Sequence, residues 1–104
     1  MAPKEIRGVI QQFKRALRAA GFPLSRMMLF GSYARNEALP DSDIDICLVS
    51  SAFKRQRERF RKQAVFIAFE IDPRIQIVLV DPDELRTNRL SPLWSSIRKE
   101  AIAA

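Results

Sequence analysis

The sequence contains no histidine and a single cysteine. Without histidine, zinc sites of the usual Cys/His kind and every Ser-His or Cys-His catalytic arrangement are excluded. Cys47 has no partner for an internal disulfide, and inside the apolar run Ile44 to Val49 it reads as a buried, inert thiol rather than a nucleophile. No stretch approaches the roughly 18 consecutive apolar residues of a membrane span. The N-terminus lacks a signal peptide's apolar core, so a cytoplasmic chain with no membrane contact is expected. Internal repeats, low-complexity tracts and linkers are missing as well.

What is there has an ordinary globular balance. The 104 residues suit one domain, 1–104, and 47% hydrophobic with 29% charged residues argues against disorder. A domain of this size buries a modest share of its surface, so a protein partner or a homo-oligomer would add stability. The net charge is +6, but Lys54 to Lys62 alone holds six bases and one acid, leaving +1 for the remainder. The chain is therefore a nearly neutral domain with one basic surface. By default such a surface is a solvated helix face. Its functional alternatives are an acidic partner or nucleic acid. Only Phe60 interleaves with the bases and no RNA-binding signature appears, so nucleic acid is the weaker of these.

Residues 3–21 read as an amphipathic helix on Ile6, Ile10, Phe13, Leu17 and Ala20, ended by Gly21 and Pro23. Arg26–Phe30 reads as a first strand. Ser32–Ser42 is polar and reads as a short helical turn followed by a loop. Asp43–Ser50 alternates as a second strand, with Ile44, Ile46 and Leu48 on one face and Asp43, Asp45 and Cys47 on the other. A helix is expected from Phe53 to about Glu70 on the stripe Phe53, Phe60, Ala64 and Ile67, and Arg74–Val80 is a β-branched third strand. Pro82 and Ser91-Pro92 open two further helices, the last carrying Leu93, Trp94, Ile97 and Ala101. The fold class is α/β (α+β): a small mixed sheet of three to four strands covered by helices. Phe66 and Phe69 exceed what one packed face needs, so they belong to the core or to a protein interface. Trp94 is read as a core or interface anchor.

The chemistry concentrates in two neighbouring places. Gly31-Ser32 closes the first strand, where glycine admits a sharp turn and close backbone approach. The hydroxyl of Ser32 stands beside the free amides of a following turn, which attract phosphate oxygens. Asp43 and Asp45, two apart on a strand, project from one face about 6–7 Å apart. Paired carboxylates repel unless a cation lies between them, and magnesium takes such hard oxygen ligands together with substrate phosphates. A phosphate cradle next to a metal-binding pair describes phosphoryl or nucleotidyl transfer.

Gly31-Ser32, ten residues, then Asp43-Ile44-Asp45 resembles the Gly-Ser-x10-Asp-x-Asp motif of minimal nucleotidyltransferases in the polymerase-beta-like superfamily. Leu29 to Arg35 and Ser42 to Ile46 carry the resemblance, and it extends over nearly the whole chain. It implies a nucleotidyltransferase-like fold in which Asp43 and Asp45 bind magnesium. Gly31 and Ser32 hold the β- and γ-phosphates of ATP or another nucleoside triphosphate, and Arg35 reaches a phosphate or the base. The implied reaction is attack of a hydroxyl on the α-phosphate with release of pyrophosphate. Members usually carry a third carboxylate on the next strand, and here that catalytic position falls on Gln76, which is neither charged nor a base. Two metal ions are thus implied, or one if the missing carboxylate costs the second. Asp72 and Asp81 flank the strand, beside prolines that suggest loops.

Domains resembling this one often pair with helical HEPN-type toxins as antitoxins, adenylylating a tyrosine. The resemblance therefore implies transfer of AMP to a partner protein, or an antitoxin that acts by contact alone. Transfer to RNA or a small molecule would need a further domain or a dimer.

Overall fold

The computed structural model describes residues 3–87 and 92–104, with the side chains of Trp94 and Ser96 outside that description. Trp94's expected anchoring role therefore lies outside the described residues. Helix α1 (Lys4–Ala19) is followed by strands β1 (Arg26–Phe30) and β2 (Ile44–Val49), then a single 3-10 turn (Ser51–Lys54) and helix α2 (Arg57–Ile71). Strand β3 (Ile75–Val80), helices α3 (Pro82–Thr87) and α4 (Pro92–Glu100) and the two-residue strand β4 (Ile102–Ala103) complete the chain.

The four strands form one mixed sheet in the order β3-β2-β1-β4. β1 is antiparallel to both of its neighbours, and β2 and β3 run parallel, joined through α2. A parallel pair needs such a crossover, because no tight turn can return the chain to the same end of the sheet. Each face of the sheet has its own core. On one, Ile44, Ile46 and Leu48 of β2 pack with Met27, Leu29, Ile75 and Leu79 beneath α1 and α2. On the other, Met28, Phe30, Cys47, Val49 and Val80 pack around Ile97 of α4.

Ile6, Ile10, Phe13 and Leu17 of α1 are all at least 96% buried. A helix of this length is marginal alone, but each such side chain contributes about 1.5–3 kcal/mol on burial, so tertiary packing holds it. Gly21 ends α1 at φ +71°, with Phe22 N–H donating to the Leu17 carbonyl. This is the left-handed closure expected of a glycine just past a helix end.

Two expectations need correction, and one left open is narrowed. The helix expected from Phe53 is two pieces, because Gln56 adopts a left-handed backbone at φ +55° after the 3-10 turn that buries Phe53. Phe53 thereby turns into a cluster with Phe22 and Phe60, with ring centroids 5.8–5.9 Å apart. Helical periodicity places Phe53 on the right face but cannot reveal the break. The last helix stops at Glu100, short of Ala101, and Ile102–Ala103 pairs with Met28 and Leu29 of β1. Two residues are too few for a strand pattern to show. Phe66 and Phe69 are 67% and 68% exposed, so they lie outside the core. Among the described residues no helix is long and apolar enough to cross a membrane.

Candidate active site

The motif residues meet at one end of the sheet. β1 ends at Phe30, and Gly31 follows at φ +75°, a left-handed conformation that favours glycine. The chain then makes a single turn, with Arg35 N–H donating to the Gly31 carbonyl at 3.2 Å and Glu37 N–H to the Ser32 carbonyl at 2.9 Å. Such a turn leaves its first amides, those of Ser32, Tyr33 and Ala34, without an internal acceptor. The loop beyond is pinned from inside. Tyr33 is buried and donates its hydroxyl to the Leu39 carbonyl at 3.3 Å, and Ser42 Oγ accepts from Leu39 N–H at 2.8 Å. From just before β3, Arg74 Nη1 donates to the Pro40 carbonyl at 3.1 Å.

Asp45 occupies the second position of β2, opposite Phe30 on β1 and Gln76 on β3. Aligned neighbours in a sheet project from the same face, so Gln76 is the side chain beside Asp45 on the β3 side. Asp43 lies just before β2 and is exposed, while Asp45 is half-buried. The link to the turn is intimate. A Cβ built on Gly31 would fall inside van der Waals contact of Asp45 Oδ2 and stand 2.9 Å from its Cγ. Only glycine leaves the space that this carboxylate fills.

The electrostatics are unbalanced. Burial and the neighbouring Asp43 carboxylate push the Asp45 pKa upward, and Arg35 offsets this in part. Arg35 itself is held by two acids, through Nε to Glu37 at 3.2 Å and through Nη1 to Glu100 at 2.9 Å. Arg35 thus pairs with Glu37 and Glu100 while its charge also reaches Asp45. A carboxylate pair only partly offset by Arg35, beside amides without an internal acceptor, is an arrangement that divalent cations and phosphates complete. Its donor set fits magnesium by the hardness of its oxygens.

The expected residues Gly31, Ser32, Asp43, Asp45 and Gln76 are brought together, and Arg35 is adjacent to them but engaged. Asp72 and Asp81 are not available as substitutes for the third carboxylate. Asp72 is chelated by Arg74 at 2.8 Å, which lowers its pKa. Asp81 lies past the far end of β3, buried, accepting the amides of Asp83 and Glu84 and facing Arg57. Among the described residues no group of three or more acidic or cysteine side chains is placed to hold a metal ion. Cys47 is fully buried with its pKa pushed up to about 12 by desolvation, an inert thiol as expected.

Sequence reasoning missed three supporting residues: Tyr33 and Arg74, which fix the loop, and Glu100, which restrains Arg35. Tyr33 lay inside the recognised motif block, but nothing local marks Arg74 or Glu100, whose partners are 34 and 65 residues away.

Residues 9–101 match the nucleotidyltransferase domain family. A Methanocaldococcus jannaschii protein provisionally named a protein adenylyltransferase is 29% identical over 102 residues, covering 93% of this chain and 69% of that protein. A Sulfolobus solfataricus protein provisionally named a nucleotidyltransferase superposes with a TM-score of 0.57 at 22% identity, covering 99% of this chain and 87% of the other. A toxin–antitoxin structure with AMP-PNP gives 0.61 at 23%, covering 89% and 69%. A structure provisionally named a minimal nucleotidyltransferase gives 0.61 at 22%, covering 98% and 95%. At these identities the structural likenesses establish the mixed α/β fold, and the family match spans most of the sequence: this chain belongs to the nucleotidyltransferase domain family.

Proposed function

We propose that the chain binds a nucleoside triphosphate, ATP in the simplest case, and transfers its nucleoside monophosphate to a hydroxyl of a partner protein. The observation that carries this reading is the fit of Asp45 into the space left by Gly31, beside the amides of the turn. Asp43 and Asp45 would hold magnesium, which when bound supplies neutralising charge and orients the phosphates. The amides of Ser32 to Ala34 and the Ser32 hydroxyl would donate to the β- and γ-phosphates. In the reaction the acceptor oxygen forms a bond to the α-phosphorus as the bond to pyrophosphate breaks. The hydroxyl proton must be taken by a carboxylate or by solvent, since Gln76 cannot accept it.

A protein acceptor is supported by the name of the M. jannaschii relative and by the toxin–antitoxin neighbour. A helical HEPN-type toxin is the partner that the family resemblance suggests. A second reading, nucleotide-dependent binding without turnover, is favoured by Gln76 standing beside Asp45, where the family's third carboxylate is expected.

The test is transfer of label from α-labelled ATP, with magnesium, into proteins of the host lysate, comparing wild type, Asp43→Ala/Asp45→Ala and Gln76→Asp. Label that needs both aspartates supports transfer. Label from Gln76→Asp alone supports the second reading. Silence from all three, with nucleotide affinity unchanged in Asp43→Ala, refutes the site.

A further inference from the structure

Three of the large apolar side chains most exposed to solvent lie on one helix: Val65 (42%), Phe66 (67%) and Phe69 (68%) of α2. Beside them, between α2 and β3, runs a groove of about 260 Å³, with Val65, Ala68 and Phe69 on one wall and Ile75, Gln76 and Ile77 on the other. β3 is an outer strand of the sheet. Its ladder to β2 runs from Ile44 N–H on the Arg74 carbonyl to Ser50 N–H on the Val80 carbonyl. A parallel ladder uses alternate residues, so the even-numbered residues of β3 face β2. The main-chain groups of Ile75, Ile77 and Leu79 turn to the other side. The Ile75 amide is taken by the Asp72 carbonyl at 3.1 Å. Among the described residues no strand pairs along this edge.

Natural edges are usually blunted by charge, proline or a covering element; here an apolar groove adjoins one. The charge nearby is mixed with a basic excess, Arg59, Arg61 and Lys62 against Glu58 and Glu70. Helical spacing puts Arg59 and Lys62 on the same outward face as Phe66 and Phe69. Arg59 donates to the neutral Gln56, and Arg61, at the groove, shares Glu58 in an exposed pair.

We propose that this groove receives an extended acidic segment of a partner polypeptide, which adds a strand to β3 and buries alternate apolar side chains against Val65 and Phe69. Edge addition of this kind draws affinity from main-chain hydrogen bonds and specificity from alternating side-chain pockets. The basic rim selects the acidic partner. It also disfavours a second copy of this chain, which would bring Arg59 and Lys62 against their own kind. The added strand would lie level with Gln76, its backbone about 10 Å from Asp45, or two strand spacings of about 4.8 Å. The groove would then be the acceptor's docking site. To that extent the inference rests on the proposed protein acceptor.

The test uses fluorescence anisotropy with labelled ten-residue peptides: alternating Glu/Val, alternating Lys/Val and alternating Glu/Ser. Wild type should bind Glu/Val at least tenfold more tightly than either of the others. Phe69→Asp and Arg59→Glu/Lys62→Glu should each weaken it at least tenfold while circular dichroism and magnesium-dependent nucleotide binding stay unchanged. The proposal is overturned by no detectable Glu/Val binding, by equal binding of Glu/Ser, or by undiminished binding to Phe69→Asp. It is overturned equally if a single-stranded RNA displaces the peptide and binds more tightly, or if sedimentation shows a dimer that Phe69→Asp dissociates. Nucleotide binding is read separately, so loss of the transfer reading and loss of the groove give different results.

Discussion

Replacing Gly31 by alanine separates two costs that normally arrive together. Gly21 and Gly31 have nearly the same backbone, φ +71° and φ +75°, but a Cβ on Gly21 meets nothing within 4 Å, whereas one on Gly31 collides with the Asp45 carboxylate. Both alanines incur the left-handed penalty, about 1–2 kcal/mol. Only Gly31→Ala must also displace Asp45, an overpacking cost of about 1–3 kcal/mol. At about 4–8 °C per kcal/mol for a domain of this size, Gly21→Ala should lower Tm by roughly 4–16 °C and Gly31→Ala by roughly 8–40 °C. The assay is thermal unfolding followed by circular dichroism, with and without magnesium and ATP. Ligand at a hundredfold excess over Kd adds about 2.7 kcal/mol of stability. That gain should persist in Gly21→Ala and vanish in Gly31→Ala, whose Asp45 no longer points into the site. Gly31→Ala/Asp45→Ala should recover most of the excess loss, since the remaining approach is 3.1 Å to the Asp45 Cβ, but not the ligand gain. Equal Tm values for the two single variants, with the ligand gain intact in both, would refute the assignment of Gly31 as the space that seats the carboxylate.

Asp45→Asn should raise Tm near neutral pH in the absence of metal. The Asp45 pKa is raised by burial and by Asp43, so the folded state binds its proton more tightly than the unfolded state. Stability therefore falls as pH rises from the ordinary carboxylate value through the folded one, and the gain from asparagine should shrink as pH drops below that window, as a pH series of melting curves would show. Glu100→Gln should release Arg35 toward the phosphate site. An exposed pair adds little to the fold, so titration should find nucleotide affinity raised by up to about fivefold with little change in Tm, and unchanged or weaker affinity counts against an Arg35 role. Arg57 holds the Glu84 pKa down to about 2, which stabilises the fold above the ordinary carboxylate range and is lost as pH falls toward 2. Glu84→Gln should therefore unfold at higher pH in an acid titration and show a flatter dependence between about pH 4.5 and 2.

Local sequence determined a good deal of this protein. Strand β1 falls where the apolar run ends at Gly31, β2 and β3 where alternation and β-branching place them, and α1 on its stripe from Ile6 to Leu17. These features depend on a period of 2 or 3.6 and on turn chemistry, which neighbouring residues set among themselves. The Gly31-Ser32 and Asp43-x-Asp45 spacing was legible for the same reason, because a strand end, one turn and the next strand start are local in the chain.

Tertiary structure decided the rest. Whether Cys47 is buried depends on α4 covering its face of the sheet, fifty residues later. The aromatic cluster of Phe22, Phe53 and Phe60 rewards a break at Gln56 that periodicity cannot see. The alignment of Asp45 with Gln76, the engagement of Arg35 by Glu100, and the open edge of β3 beside Phe69 arise between segments remote in sequence. Their geometry follows from how strands register and helices cover a sheet, because a contact between distant residues is fixed by the packing of whole elements and leaves no periodic trace in either partner.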